Sequence, residues 1–412
     1  MTDFRRDIPK GLVAFANELL HHGHQVFVVG GACRDLVRER VPKDWDLATS
    51  ATPDQMMKLF PRSIPTGLAF GTVTVPLECG GVEVTTFRKE SGSKDHRHHQ
   101  EMVFKLSIEE DLKRRDFTFN AMAIDPITGH LMDPHQGRQD LKRRRLKTVG
   151  DAHLRFKEDA LRMLRAARFI SQVSLQEVDS SCTKAAKRCK RLIQSLPMER
   201  IREEFRKLLW GEDIKAGLLW LEETGLWAAL SNTSIRDEVN AIEWWSLQGS
   251  VDVRVAALLL CMNDPAWTDN HKFPRFLFFN KKVKLRSWTL YRWSSDQHLH
   301  QLDEPAKLKQ CLSHLSYDLV GDWFDLQMVR TSWKAKALQW KQWWLNAQMQ
   351  HEAVWIRDLD LSGKDLIDHC LNLHPRQISI VLQGLLDLVH VNPQWNQRDI
   401  LLSEAQKIAD SF

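Results

Sequence analysis

The sequence lacks Cys-x-x-Cys pairs, and no run of about 18 apolar residues occurs in it. Its seven cysteines are scattered over 412 residues. This argues against a disulfide framework or a cysteine-based zinc site and indicates reduced thiols in a cytosol-like compartment. Because no apolar run is long enough to cross a bilayer, we also expect no membrane span. The first residues, MTDFRRDIPKGL, also lack the apolar core of a signal peptide, so the expected location is the cytoplasm.

The bulk composition is that of a globular protein, with 43% hydrophobic and 27% charged residues. A chain of 412 residues exceeds one ordinary core, so we expect about two to four domains. The net charge of +5 fits a polyanionic partner but does not require one.

A candidate phosphate site follows the first predicted strand. The apolar run Val26–Val29 predicts a buried strand, and Gly30 and Gly31 come directly after it. Paired glycines at a strand end let the backbone approach a ligand, and successive amides there can cradle phosphate. Arg34 could clamp the same phosphate through its planar guanidinium. A simple turn is the ordinary explanation of such a pair.

A candidate metal site lies further on, where Asp44 and Asp46 flank Trp45 in a predicted strand, Trp45–Ala48. Side chains alternate along a strand, so both carboxylates would lie on one face. Such a pair suits Mg²⁺ shared with a substrate triphosphate, and a paired-metal site stabilises attacking and leaving oxygens together. Each short motif is common by chance, so their order and spacing carry the inference.

The next stretches predict a helix, a hairpin and a loop. Thr52 and Pro53 are typical of a helix start, and TVTVPLECGGVEVTTF predicts a β-hairpin. Glu83 on its second arm could supply a third carboxylate, although an exposed strand glutamate explains it equally well. The polar stretch 89–101 predicts a mobile loop, and its histidines lack the spaced partners of a metal site.

Two further stretches carry candidate nucleotide contacts. In RRDFTFNA, Arg115 is a candidate for the triphosphate or ribose and Asn120 for backbone or ribose hydrogen bonds. A solvated helix face is the ordinary explanation of an arginine pair. The spacing over Phe156–Phe169 predicts one helix, and its candidate side chains are Asp159, Arg162, Arg165 and Arg168. A surface helix with i,i+3 ion pairs is the alternative there.

Asp159 and Arg162 have the chemistry to select nucleobases. Adenine and cytosine both present an exocyclic amine beside a ring-nitrogen acceptor, which a carboxylate and an arginine can pair with. Guanine and uracil place a carbonyl where the amine would be. Hydrogen bonds of this kind can discriminate by roughly 10⁴–10⁵, so the pair would select CTP and ATP without a template.

Together these motifs resemble the nucleotidyltransferase superfamily of DNA polymerase beta, and within it the class II tRNA nucleotidyltransferase and bacterial poly(A) polymerase branch. The segment ERIREEFRKLL is similar to the tRNA nucleotidyltransferase version. The motifs that carry the resemblance are GGACRD, DWDLATSATP, RRDFTFNA and EDALR.

The resemblance implies an α+β fold. A mixed-sheet catalytic head of the DNA polymerase beta-like type would span residues 1–148. A helical neck (149–230) would recognise the base, and a helical body (231–345) and tail (346–412) would bind tRNA. Asp44, Asp46 and Glu83 would be catalytic, with Asp44 and Asp46 as metal ligands. The nucleotide contacts it implies are Gly31, Arg34, Arg115, Asn120, Asp159, Arg162, Arg165 and Arg168.

The implied activity is template-independent addition of CCA to the 3′ end of tRNA from CTP and ATP, with Mg²⁺ as cofactor and pyrophosphate released. Alternatives within the class are a CC-adding enzyme, an A-adding enzyme or a poly(A) polymerase. An RNA-binding module with an inactive head is the alternative from another class. The expected partner is the tRNA acceptor arm; the oligomeric state stays open, with a homodimer as one option.

Overall fold

The structure is a computed structural model that describes residues 3–90, 102–103, 107–247, 249–262, 274–294, 299–369 and 373–411. The chain divides into two compact units, Met1–Asn232 and Thr233–Phe412. The division into four parts stays a prediction. No helix in the described ranges has the length and apolar character needed to cross a membrane. The predicted loop over 89–101 lies, apart from residues 89 and 90, outside the described residues.

The strands of the described residues all lie in the first unit and are short. They are β1 (Val26–Val29), β2 (Asp46–Thr49), β3 (Ile64–Gly67), β4 (Thr72–Leu77), β5 (Gly80–Thr86), β6 (Lys89–Glu90), β7 (Met102–Val103), β8 (Ala123–Ile124), β9 (Leu131–Met132), β10 (Arg145–Leu146) and β11 (Glu177–Val178).

Seven of these strands form one mixed sheet in the order β3-β4-β5-β2-β1-β8-β9. Strands β4 and β5 form the predicted hairpin, whereas β2 pairs with β5 in parallel, with Asp46 opposite Glu83. Apolar side chains of the central strands, including Val28, Leu47 and Val84, are buried in the core beneath the sheet. The predicted mixed sheet is confirmed.

The helices of the first unit precede, interrupt and follow the sheet. They are α1 (Lys10–His21), α2 (Gly30–Val37), α3 (Pro53–Leu59), α4 (Ile108–Lys113), α5 (Gly137–Lys142), α6 (Ala152–Glu158), α7 (Leu161–Val173), α8 (Ser180–Cys189), α9 (Met198–Leu208), α10 (Ile214–Thr224) and α11 (Leu226–Ser231). The predicted start of α3 is confirmed, because Thr52 forms a capping box with Gln55.

The described part of the second unit is mainly helical, with one isolated β-bridge between Ile242 and Arg330. Its helices are α12 (Arg236–Asn240), α13 (Val251–Met262), α14 (Lys281–Trp293), α15 (Pro305–Ser313), α16 (Tyr317–Met328), α17 (Lys334–Met349), α18 (Gly363–Asp368), α19 (Pro375–Val391) and α20 (Arg398–Ala409). Trp323 and Trp340 are fully buried and pack tilted against each other in the core of this unit. The predicted α+β fold with a helical remainder is confirmed.

The single helix predicted over Phe156–Phe169 is wrong. Helix α6 ends at Glu158, and α7 begins at Leu161. Asp159 has extended backbone angles (φ −144°, ψ 106°), and its Oδ1 accepts a hydrogen bond from the Leu161 N–H at 2.9 Å. An aspartate can thus replace the helical hydrogen bond with a local one, which ends one helix and begins the next.

Helix α7 is fastened to the sheet region by a buried ion pair. The Asp116 carboxylate accepts from Arg165 Nε at 2.8 Å and from its own neighbour, the Phe117 N–H, at 2.8 Å. Burial alone would raise the pKa of Asp116, but Arg165, Asn120 and the Phe117 N–H outweigh it and lower the pKa to about 2. Asp116 is therefore ionised at neutral pH and holds α7 in place.

We predict that Gly137→Ala destabilises the first unit by about 1–3 kcal/mol, because overpacking against backbone cannot relax cheaply. A Cβ at Gly137 would lie 2.2 Å from the Thr118 carbonyl oxygen. The control is Gly321→Ala in α16, where no atom lies within 4 Å of the new Cβ. It should be neutral or stabilising, by up to about 1 kcal/mol. Thermal unfolding of both variants checks this, and equal effects would contradict it.

We also predict that Asp116→Asn removes a pH-dependent part of the stability. The folded pKa lies below the unfolded value of about 3.9. The stability that Asp116 contributes is therefore complete above that unfolded pKa and is lost as the pH falls through about 2. Urea unfolding of both proteins should show a free-energy difference that is constant near neutrality and shrinks below about pH 4. A difference that does not change on acidification would contradict the prediction.

Candidate active site

One cleft in the first unit brings together every site residue predicted from the sequence. It has a volume of about 990 Å³, and arginines and lysines outnumber carboxylates along its lining. The predicted residues that line it are Gly31, Arg34, Asp44, Asp46, Glu83, Arg115, Asn120, Asp159, Arg162, Arg165 and Arg168. The cleft therefore suits a polyanionic ligand.

The parallel pairing of β2 with β5 concentrates carboxylates on one side of the cleft. Asp46 begins β2 and lies opposite Glu83, while the exposed Asp44 precedes the strand instead of belonging to it. Burial, the Glu83 carboxylate and, more weakly, Asp44 raise the pKa of Asp46 above its ordinary value. Repulsion of this kind would be relieved by a bound cation.

The glycine pair lies against Asp46. Gly30 has φ +62°, and helix α2 begins at Gly30 itself. A Cβ at Gly30 would come within 3.1 Å of Asp46 Oδ2, so both the backbone angle and the close approach favour glycine. The Gly31 N–H donates to the Asp46 carboxylate and opposes the rise in its pKa.

The carboxylates fit a divalent cation that is shared with a ligand. Among the residues that the structure describes, no three histidine, cysteine or carboxylate side chains are arranged as a metal-binding group. Asp44 and Asp46 alone would leave coordination positions for ligand oxygens, which is how Mg²⁺ is usually bound beside phosphates.

A buried carboxylate organises the arginines of the RRDFTFNA segment. Asp111 Oδ1 accepts from Arg114 Nη2 at 2.7 Å, and its Oδ2 accepts from Arg115 Nη2 at 2.9 Å. Burial would raise the pKa of Asp111, but Arg115 and Arg114 together lower it. Arg115 is therefore held in one orientation before any ligand arrives.

Asn120 makes its side-chain contacts inside the protein. Its Oδ1 accepts from Arg34 Nη1 at 3.2 Å, and its Nδ2 donates to Asp116 Oδ1 at 3.1 Å. Its buried amide therefore links the guanidinium of α2 to the carboxylate that holds α7. This geometry gives Asn120 an orienting contact besides any bond to a ribose.

The two predicted base-reading residues have separate partners. Asp159 Oδ2 accepts from Arg200 Nη2 at 3.1 Å. The buried Arg162 donates to Glu158 Oε2 at 2.6 Å and to the Arg114 carbonyl at 3.1 Å. Both side chains line the cleft, but they do not pair with each other.

Arg165 and Arg168 share a second buried carboxylate, Glu204 of α9. Arg168 Nη1 lies 3.0 Å from Glu204 Oε2, and Arg165 Nη1 lies 4.0 Å from Glu204 Oε1. Burial and the neighbouring Arg165 lower the pKa of Arg168 to about 10, so it stays charged at neutral pH.

The residues that sequence reasoning missed are the partners of the predicted ones. Asp116 lies inside the RRDFTFNA motif, so the motif could have identified it as a candidate site residue. Asp111 lies three and four positions before the arginines that it holds, and Phe169 lies one and four positions after Arg168 and Arg165, so both also had local signals. No local pattern marks Arg200 and Glu204, because their contacts join distant segments.

Two protein-family models match the first unit. The model described as "Poly A polymerase head domain" covers residues 26–147. The model described as "Probable RNA and SrmB- binding site of polymerase A" covers residues 177–231.

The relatives agree with these models. The CCA-adding enzyme of Anoxybacillus flavithermus is 44% identical over 220 residues, 53% of this chain and 55% of the relative. The CCA-adding enzyme of Bacillus cytotoxicus is 40% identical over 276 residues, 66% of this chain and 68% of the relative. The chain thus spans about half the length of the first relative and about two thirds of the second.

A solved structure matches the whole length of the chain. The crystal structure of the Bacillus stearothermophilus CCA-adding enzyme in complex with CTP covers 100% of this chain and 99% of its own, with a TM-score of 0.79 and 27% identity. Identity in sequence and agreement in fold lead to one conclusion: the chain belongs to the CCA-adding enzyme family, and its first unit carries a poly A polymerase head domain.

Proposed function

We propose that this protein adds CCA to the 3′ end of tRNA, using CTP and ATP and releasing pyrophosphate. The observation that carries the proposal is that Asp44 and Asp46 line the same cationic cleft as Asp159 and Arg162. One nucleotide could thus have its phosphates at the carboxylates and its base at α7. Family membership supports the choice over an inactive RNA-binding module.

In the proposed reaction the terminal 3′ hydroxyl of the tRNA attacks the α-phosphorus of CTP or ATP. A new P–O bond forms, the bond to the β-phosphate oxygen breaks, and pyrophosphate leaves. Bound Mg²⁺, held by Asp44 and Asp46, would activate the hydroxyl and neutralise triphosphate charge. Arg34, Arg115 and Arg165 would position the triphosphate. Positioning and charge neutralisation suffice for phosphoryl transfer, so no covalent enzyme intermediate is needed.

Base selection would require Asp159 and Arg162 to exchange partners. In the structure Arg200 donates to Asp159 as the exocyclic amine of cytosine or adenine would. An incoming base that donates can take over this hydrogen bond, whereas the carbonyl of uracil or guanine cannot. Asp159 would therefore admit CTP and ATP and reject UTP and GTP.

The remaining expectations follow from this function. The helical part of the chain would bind the tRNA acceptor arm by shape and phosphate contacts. A crystallised relative carries CTP, which agrees with the proposed substrate. The cytoplasm, where tRNA is used, is the proposed location, and Glu83 as a catalytic carboxylate and a homodimer stay predictions.

The direct test is extension of a defined tRNA that ends before the CCA. We expect two cytidines with CTP alone and complete CCA with both nucleotides. A tRNA that already ends in CC should gain one adenosine. A long adenosine tail on unrelated RNA would indicate a poly(A) polymerase and overturn the proposal, and a product that stops at CC would indicate a CC-adding enzyme.

We predict that Asp46→Asn lowers nucleotide addition by at least about 10³-fold, because the carboxylate that would hold the metal is lost. Binding of tRNA, measured by filter retention, should stay within about twofold, since phosphate contacts elsewhere supply it. The matched control is Asp54→Asn, an exposed aspartate of α3 that does not line the cleft. Retained turnover in Asp46→Asn would refute the metal assignment.

We further predict that Asp159→Ala raises misincorporation of UTP and GTP relative to CTP and ATP by at least about tenfold, because an acceptor of the exocyclic amine is removed. The control is Glu199→Ala, an exposed carboxylate of α9 outside the cleft lining. Single-nucleotide incorporation with each of the four nucleotides measures the ratio. Unaltered selectivity in Asp159→Ala would exclude the base-reading role.

A further inference from the structure

Phe169 lies at the centre of three guanidinium groups. The Cζ atoms of Arg168, Arg165 and Arg34 lie 4.2, 5.4 and 5.5 Å from the centre of its ring. The ring is buried, with 3% of its surface exposed, yet it forms part of the cleft lining. Three cations that would otherwise repel one another thus contact one aromatic ring.

The ring joins parts of the site that come from different segments. Arg34 belongs to α2, next to the glycine pair, and Arg165 and Arg168 belong to α7. Each guanidinium also has a close carboxylate partner, and Arg165 has Glu204 as a second one at 4.0 Å. The close pairs are Arg34 with Asp35 at 3.0 Å, Arg165 with Asp116 at 2.6 Å and Arg168 with Glu204 at 3.0 Å.

Two neighbouring aromatic rings fix the orientation of Phe169. Phe117 and Phe119 meet it edge to face, with centres 5.6 and 5.4 Å away and interplanar angles of 80° and 81°. Because the electron-rich faces of a phenyl ring attract cations, a fixed ring gives the guanidiniums fixed places. The carboxylates hold each arginine from one side, and the ring holds it from another.

We propose that Phe169 is a positioning residue for the polyphosphate of the bound nucleotide, a role that rests on the proposed function. It holds Arg34, Arg165 and Arg168 together along the cleft that all three line. Guanidiniums pair with phosphate oxygens in fork geometry, and several of them around one ring suit a ligand with adjacent phosphates. An RNA backbone, with one charge per phosphodiester, needs no such concentration of charge.

The test measures binding of inorganic pyrophosphate by calorimetry in the presence of EDTA, so that the signal reports the arginines and not a metal. Phe169→Leu should weaken binding about tenfold, since each cation–π contact contributes a factor of a few. The matched control is Phe15→Leu, which removes a buried ring of α1 that packs against Phe60 and does not line the cleft. It should lose similar thermal stability but keep its pyrophosphate affinity within about twofold.

Two more variants keep the inference testable if Phe169→Leu folds poorly. Phe169→Met fills the space without an aromatic face and should also bind weakly. Phe169→Tyr keeps the face and should restore affinity. In nucleotide addition, Phe169→Leu should raise KM for CTP about tenfold and leave kcat within about threefold, since binding precedes chemistry.

Equal affinity losses in Phe169→Leu and Phe15→Leu would show a purely structural role and overturn the inference. Unchanged affinity in Phe169→Leu would do the same while leaving the proposed function intact. If the wild-type protein binds pyrophosphate in a ring-dependent way but adds no nucleotide to tRNA, the positioning role is supported and the proposed function fails.

Discussion

The site depends on carboxylates that the sheet holds close together despite their mutual repulsion. Parallel pairing of β2 with β5 sets Asp46 opposite Glu83, and the chain entering β2 adds Asp44 nearby. Burial and then the Glu83 carboxylate raise the pKa of Asp46, so both disfavour its charged form. The charged form is tolerated because Gly31 donates a backbone hydrogen bond and because Arg115 lies close by. The carboxylates thus lower the local stability of the fold and, in return, form a site that attracts a cation.

The opposite charge is concentrated in the same cleft and is held by a different device. Arginines there are anchored by buried carboxylates, Asp111, Asp116 and Glu204, so that their orientation is set before a ligand binds. Preorganised charges do not have to rearrange when negative charge arrives, which is the main source of electrostatic catalysis. The carboxylate group and the arginine group together can accommodate a metal and a triphosphate side by side.

Much of this arrangement could be predicted from the sequence because the signals are local. The apolar run of β1, the capping box at Thr52 and the hairpin of β4 and β5 each depend on a few neighbouring residues. The predicted site residues also line one cleft. The errors are of another kind. The spacing from Phe156 to Phe169 fits one helix, but the side chain of Asp159 accepts hydrogen bonds from the Leu161 N–H and from Arg200, 41 positions later in the sequence. Ion pairs between distant segments leave no periodic trace in the sequence, so Glu204, which pairs with Arg168 of α7, could not be found either.

The most direct measurement is a crystal structure of the protein with CTP, Mg²⁺ and a tRNA that ends before the CCA. The account predicts the triphosphate between Asp46 and the guanidiniums of Arg34 and Arg165. It also predicts that the cytosine amine donates to Asp159, with Arg200 displaced from that carboxylate. A triphosphate bound outside this cleft, or a base that does not reach Asp159, would contradict the account.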